Sequence, residues 1–184
     1  ENTIVLFVLV LASSFFLSQM VLLLQPSRPF QTGRAWIELD RAALRHNVKQ
    51  LQSILPEGCA LMPAVKANAY GHGAVLIAKE LNRLGIMAFC VATVTEGAEL
   101  RRGGIKGEVL VLGYTHPEQF PMLRRYRLTQ TVVDLSYARL LNAYGKKLKV
   151  HLKIDTGMHR LGIPADQKEE IARVFNYRNL VITG

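Results

Sequence analysis

The chain has 184 residues, 23 of them basic and 14 acidic, for a formal charge of +9. That length is enough for one domain with a real core plus an appendage. The positive charge does not make a nucleic-acid binder, because no aromatic and basic interleaving and no base-reading motif accompanies it. Two cysteines, Cys59 and Cys90, sit in or beside apolar segments, which fits buried thiols in a reducing compartment.

Residues 4–24 carry no charge, and only Ser13, Ser14, Ser18 and Gln19 are polar. At about 1.5 Å per residue such a run crosses a hydrocarbon core of about 30 Å, so a transmembrane helix is expected within residues 1–25. A secretory signal would show a basic start and a shorter apolar core. Arg28 and Arg34 follow the run and Glu1 precedes it. By the positive-inside tendency this places the downstream domain on the cytoplasmic face of the cell membrane. Pro26 and Pro29 make residues 26–34 a linker. The first residue is Glu1 and the last, Gly184, directly follows a strand-like stretch, so both ends are read as cut.

From residue 35 the pattern alternates. A strand is predicted over 35–39, then a helix capped by Asp40 with Leu44, Val48, Leu51 and Leu55 on its apolar face. Further strands are predicted over 60–65, 88–92, 108–112, 129–133, 149–154 and 180–183. Helices are predicted over 74–83, 96–102, 117–125, 135–143 and 166–175. Thr93 and Glu96 have the spacing of a capping box. Basic clusters at Arg101, Arg102 and Lys106, at Arg124, Arg125 and Arg127, and at Lys146, Lys147 and Lys149 fall near helix ends. Cations there suit the helix dipole, and attraction to an anionic leaflet is a second reading.

Regular β–α alternation calls for a parallel sheet. The glycine fingerprint of a dinucleotide site is missing, and reactive residues recur at several strand ends. The fold class is therefore α/β: a partial parallel (β/α)8 barrel, with about six of eight strands present, preceded by one transmembrane helix.

Two strand ends carry chemistry. Residues 65–73 read VKANAYGHG, placing Lys66 just after an apolar strand. A lysine sheltered there loses part of its proton affinity, and a neutral amine reacts with aldehydes and ketones. Tyr70 is near enough in sequence to donate a phenolic hydrogen bond to a phosphate or an aldehyde ring held at Lys66. Residues 153–162 read KIDTGMHRLG. Alternation sends Lys153 and Asp155 to one face, and an inward lysine needs a partner or must become neutral. Arg160, beyond a glycine turn, supplies a permanent cation and a strong donor.

These segments, with AWIELD upstream and TEGAELR between them, resemble the alanine racemase family of pyridoxal-phosphate enzymes over residues 34–184. By that resemblance residues 35–184 are the N-terminal part of a racemase barrel. Lys66 is implied to be the lysine modified as the pyridoxal-phosphate aldimine, and also the base for the α-hydrogen on the D side. The resemblance makes Tyr70 a ligand of the cofactor phosphate. Arg160 bonds the cofactor's phenolic oxygen and helps place the substrate carboxylate, and Met158 lines the substrate site. Lys153 matches a lysine that the family often carries as a carbamate. No metal is implied.

With an apolar span ahead of the domain, the chain looks most like the membrane-bound serine/alanine racemases of vancomycin-resistance systems. The implied function is interconversion of L- and D-alanine or serine, supplying D-amino acids for the cell wall and for glycopeptide resistance. A small amino acid is the substrate, the membrane is held through the N-terminal helix, and the complete protein is a homodimer. The second base, a tyrosine, belongs to a C-terminal domain of the partner subunit, so the 184 residues alone are expected to be inactive. A barrel that binds pyridoxal phosphate without turnover is the alternative, and a cofactor-free lysine aldolase a more distant one.

Overall fold

The computed structural model describes residues 35–184. The transmembrane helix expected within residues 1–25 and the linker over 26–34 lie outside the described residues. Among the described residues, no helix is long and apolar enough to cross a membrane.

Helix α1 (Arg41–Ser53) starts where Asp40, in extended conformation, accepts from the amides of Ala42 and Ala43. A single turn, α2 (Lys66–Tyr70), leads into α3 (Ala74–Arg83) and strand β1 (Ala88–Val91). Helix α4 (Val94–Arg102) carries the complete capping box between Thr93 and Glu96 and feeds β2 (Glu108–Val111). A 3-10 turn (Pro117–Gln119) opens α5 (Phe120–Arg125), which is followed by β3 (Thr129–Val132) and α6 (Leu135–Ala143). Strand β4 (Leu148–Leu152) then precedes two short strands, β5 (Ile154–Asp155) and β6 (Ile163–Pro164), then α7 (Lys168–Val174) and β7 (Leu180–Ile182).

The main sheet is parallel throughout, in the order β1-β2-β3-β4-β7. Sequential neighbours joined by a helix give this order, since each crossover must return to the same end of the sheet. Strands β5 and β6 form a separate parallel pair.

Two expected strands differ. Residues 60–65 form no regular strand, but isolated bridges at Leu61 and Ala64; Ala64 bridges to Cys90, flanked by Val65 N to Cys90 O at 2.8 Å and Cys90 N to Pro63 O at 2.9 Å. Pro63 has no N–H to give, so the ladder cannot continue as a regular strand. Residues 35–39 form no strand. Trp36 and Ile37 are exposed there, and their alternation finds no sheet partner among the described residues. The six predicted barrel strands are therefore five regular ones and a bridged edge segment.

One face of the sheet packs on the helices. Phe89, Val91, Val109, Val111, Val132 and Val150 meet Ala78, Leu81, Leu100, Leu123 and Leu141 in the larger core. Each such large side chain contributes roughly 1.5–3 kcal/mol on burial. Met62, Cys90 and Leu110 form a second cluster on the opposite face, joined by Ala64, Ala88 and Leu112.

Because every helix runs back to the start of the next strand, helix C-terminal ends share one end of the sheet. Arg83, Arg101, Arg102, Arg124, Arg125 and Arg173 all lie in last turns. Arg101 goes further and donates to the carbonyls of Tyr126, Ile105, Gly107 and Arg127. Acidic first-turn residues, Glu96, Glu118, Glu169 and Glu170, mark the other end.

Candidate active site

Lys66, Lys153 and Arg160 lie beyond the C-terminal ends of the parallel strands. Lys66 follows the bridged segment and is partly buried. It lies near enough to Cys90 for its charge to pull the thiol's pKa down, against a stronger upward push from burial that takes Cys90 to about 12. Among the described residues the Lys66 amine has no hydrogen-bond or ion-pair partner.

The backbone immediately after Lys66 is unusual. Ala67, Asn68, Ala69 and Tyr70 all have φ between 49 and 54°, a left-handed turn built without glycine. L-residues pay roughly 1–2 kcal/mol each for that conformation. Local bonds hold it: Ala69 N to Val65 O at 2.9 Å, Gly73 N to Asn68 O at 2.9 Å, and Ala74 N to Asn68 Oδ1 at 2.8 Å. His72 Nδ1 lies 2.8 Å from the Ala69 carbonyl, which can only accept, so that nitrogen carries the proton. From α4, Glu96 Oε1 accepts from Ala67 N at 2.8 Å. The turn leaves Tyr70 45 % exposed at the rim.

The second segment is pinned from two sides. Lys153 N donates to Val132 O at 3.0 Å, and Lys153 O accepts from Ile163 N at 2.9 Å. The Lys153 side chain is half-buried and without a polar partner among the described residues. Asp155 Oδ1 accepts from Gly157 N and His159 N, both at 3.0 Å, with His159 Nδ1 3.2 Å from Oδ2. Those two backbone donors, Gly157 first, hold the carboxyl below its ordinary range. Gly162, at φ +118°, closes the loop by giving its N–H to Val133 O at 3.0 Å. A Cβ there would stand 2.8 Å from Asp155 N and 3.0 Å from Lys153 O, so only glycine fits. Arg160 is exposed on this loop and, with Val133, Asp134 and Asp155, lines a shallow cavity. Met158 is 70 % exposed.

Lys66 and Arg160 thus share one end of the sheet but stand on separate loops, and no hydrogen bond or ion pair joins them among the described residues. Two further features escape sequence reasoning. One is Glu96, whose helix-capping role is legible at N3 but whose reach to Ala67, 29 residues back, is not. The other is a polar row on the sheet face opposite the helices. There Glu108 Oε1 accepts from Thr129 Oγ1 at 2.8 Å, and His151 Nε2 lies 3.3 Å away without hydrogen-bond alignment. The neighbouring imidazole is the main cause that keeps the Glu108 carboxyl below its ordinary range, with Thr129 assisting against burial. Inward polar side chains on consecutive parallel strands signal a lumen that is not purely hydrocarbon. Among the described residues no cluster suits a metal ion.

A parallel β/α fold with Lys66, Lys153 and Arg160 beyond the strands' C-terminal ends has the layout of barrel folds, in which the loops at that face carry the chemistry. Residues 39–184 match the profile of the alanine racemase N-terminal domain, and the chain belongs to that family. An amino-acid racemase of Enterococcus faecalis is 38 % identical over 191 residues, covering 100 % of this chain and 27 % of that protein. A serine/alanine racemase of Enterococcus gallinarum is 42 % identical over 82 % of this chain and 22 % of its own length. The crystal structure of alanine racemase from Enterococcus faecalis superposes with a TM-score of 0.70 at 37 % identity, over 79 % of this chain and 41 % of that one. The fold is thus of the alanine racemase barrel type, and the chain spans well under half the length of these relatives.

Proposed function

We propose that the protein of which this chain forms part is an amino-acid racemase that uses pyridoxal phosphate to interconvert the L and D forms of alanine, serine or both. The observation that carries this reading is the Lys66 amine, partly buried at a strand's C-terminal end and lacking a polar partner among the described residues. The family membership and the racemase relatives support it.

The residues present suit the cofactor. An amine with no competing carboxylate is free for an aldehyde, the Tyr70 hydroxyl at the rim is a donor for a phosphate, and Arg160 brings a fixed cation for a phenolic oxygen or a substrate carboxylate. When bound, pyridoxal phosphate supplies an electron sink that makes an amino acid's α-hydrogen acidic. Lys66 Nζ then takes that proton on one face and returns it, and it must be neutral to accept it. Racemisation also needs a base on the opposite face, which the family resemblance assigns to a tyrosine of the partner subunit. Met158 would line the substrate side, and Lys153, as a carbamate, would orient Arg160 by opposite charge. Replacing Lys66 by alanine in the full-length protein should abolish both racemisation and the visible absorbance of the bound cofactor. Retention of both refutes the assignment.

We further propose that residues 1–25 anchor the protein in the cell membrane with the racemase domain on the cytoplasmic side, and that the complete protein is a dimer supplying D-amino acids to the cell wall, in the manner of glycopeptide-resistance racemases. The uncharged run over 4–24 supports the anchor, as does the Enterococcus faecalis relative's alignment across the whole chain. Resistance of the protein in isolated membranes to alkaline carbonate extraction tests it, and complete release would exclude it. Light scattering on the detergent-solubilised protein tests the dimer.

A further inference from the structure

We propose that Glu96 is the positioning residue of Lys66: from helix α4 its carboxylate holds the left-handed turn that begins beside the lysine. The proposal rests on the reading of Lys66 as the cofactor's amine, and extends it to a residue that reading leaves without a part.

The two oxygens of Glu96 face different partners. Oε2 accepts from Ala92 N at 2.6 Å and, more weakly, from Thr93 N at 3.4 Å, which ties the end of β1 to the start of α4. A capping box needs no more than this oxygen. Oε1 is turned away from its own helix and accepts from Ala67 N at 2.8 Å. That N–H belongs to the peptide plane that carries the Lys66 carbonyl. Fixing it fixes the rotation of that plane about the Lys66 Cα–C bond, and so fixes the backbone frame from which the lysine side chain departs.

Ala67 is also the first of four successive residues with positive φ, none of them glycine. A chain of L-residues leaves that conformation unless something restrains it, and Ala67 N, the first amide of the left-handed residues, is held by a side chain of a different element. A strong, charge-assisted acceptor is therefore placed where the strained segment starts. A glutamine cannot replace it. Its single oxygen serves either Ala67 or Ala92, while its NH2 group would face the other N–H as donor against donor.

Glu96→Ala, Glu96→Gln and the double variant Glu96→Ala with Ala67→Gly, all made in the full chain, test the idea. Two readouts are taken: amide hydrogen exchange over residues 66–71, and the rate at which pyridoxal phosphate with borohydride labels Lys66, relative to exposed Lys49 and Lys79 in the same sample. Loss of one charge-assisted bond should speed exchange about tenfold and lower the Lys66 labelling ratio by a similar factor. Glycine holds the left-handed conformation without restraint, so the double variant should recover most of the labelling. Unchanged exchange and labelling in both single variants overturn the proposal. So does a loss that Ala67→Gly fails to restore while the amides of α4 exchange faster, because Glu96 would then act only through its helix. If Lys66 of the unaltered chain is labelled no faster than Lys49, the cofactor reading fails, and the exchange data alone decide the role of Glu96.

Discussion

Replacing Tyr137 by phenylalanine deletes a single oxygen whose two hydrogen bonds both end on Thr115. Thr115 N donates to Tyr137 Oη at 3.0 Å, and the hydroxyl donates back to Thr115 O at 3.0 Å. Both residues are buried, at 2 % exposure. The ring itself stays packed, 4.6 Å from the Tyr114 centroid and 6.3 Å from that of Phe120, so almost no apolar contact is lost. What remains is a backbone donor and a backbone acceptor without partners, each costing about 1–3 kcal/mol when buried. The loop is also held through Thr115 Oγ1 to Gln130 Oε1 at 2.7 Å and Gln130 Nε2 to Gly113 O at 2.7 Å, which limits its escape to water. The expected loss is about 2–4 kcal/mol, read as a lower urea midpoint at constant m-value. A pH series adds a second arm. Burial pushes the Tyr137 phenol up from 10.0 to about 12, against the opposing bonds from Thr115. A folded value above the unfolded one means that stability is fully present below pH 10 and fades as pH rises toward 12. Phenylalanine has no such proton, so the gap between the two proteins should narrow from pH 10 upward. A destabilisation under about 0.5 kcal/mol, or a gap constant over that range, would refute the reasoning.

Gly162→Ala should loosen the 156–162 loop and cost roughly 2–4 kcal/mol, because the new methyl meets Asp155 N at 2.8 Å at a φ that only glycine adopts freely; undiminished resistance of that loop to limited proteolysis would count against it. The amide signals of Gly157 and His159 should titrate with a midpoint below 3.8, since Asp155 is held below that value and its grip on the loop is present above it and lost as pH falls. A midpoint at or above 3.8 contradicts the assignment. At pH 8 a small thiol reagent should modify partly exposed Cys59 and spare Cys90, whose thiol is fully buried and pushed up to about 12. Equal labelling of the folded protein would show that the inner face of the sheet is open.

Helix boundaries were legible wherever a polar cap preceded an apolar period. Asp40 caps α1 as expected and α6 starts at the expected Leu135, while the capping box at Thr93 opens α4 at Val94, two residues ahead of the expected 96. Strand identity was legible for β1 and β2 because strands buried on both faces read as short apolar runs, whereas β3, Thr-Gln-Thr-Val, reads through its β-branched residues and β4, Leu-Lys-Val-His-Leu, through alternation. The failures share a cause, namely partners distant in sequence. Alternation over residues 35–39 predicts a strand without saying what it pairs with. Nor does a one-dimensional reading of Pro63 weigh its missing N–H against the apolar residues around it. Strands β5 and β6 are two residues each, below the length at which any period shows. Of the site, the two lysines and Arg160 could be marked from their places after apolar strands. The backbone handedness after Lys66 could not, since of Ala67, Asn68, Ala69 and Tyr70 only the asparagine favours it, and a single such residue does not mark a run of four.

The arginines at the helix C-terminal ends have a consequence for how this domain meets its surroundings. With cations collected at the strands' starting end and first-turn carboxylates at the other, the helix-end charges of the described domain are of opposite sign at its two ends. In the gradient of potential above any charged sheet, such a body turns before it touches, presenting its arginine-bearing pole to negative charge. The loops bearing Lys66 and Arg160 would then face the aqueous side, open to small solutes.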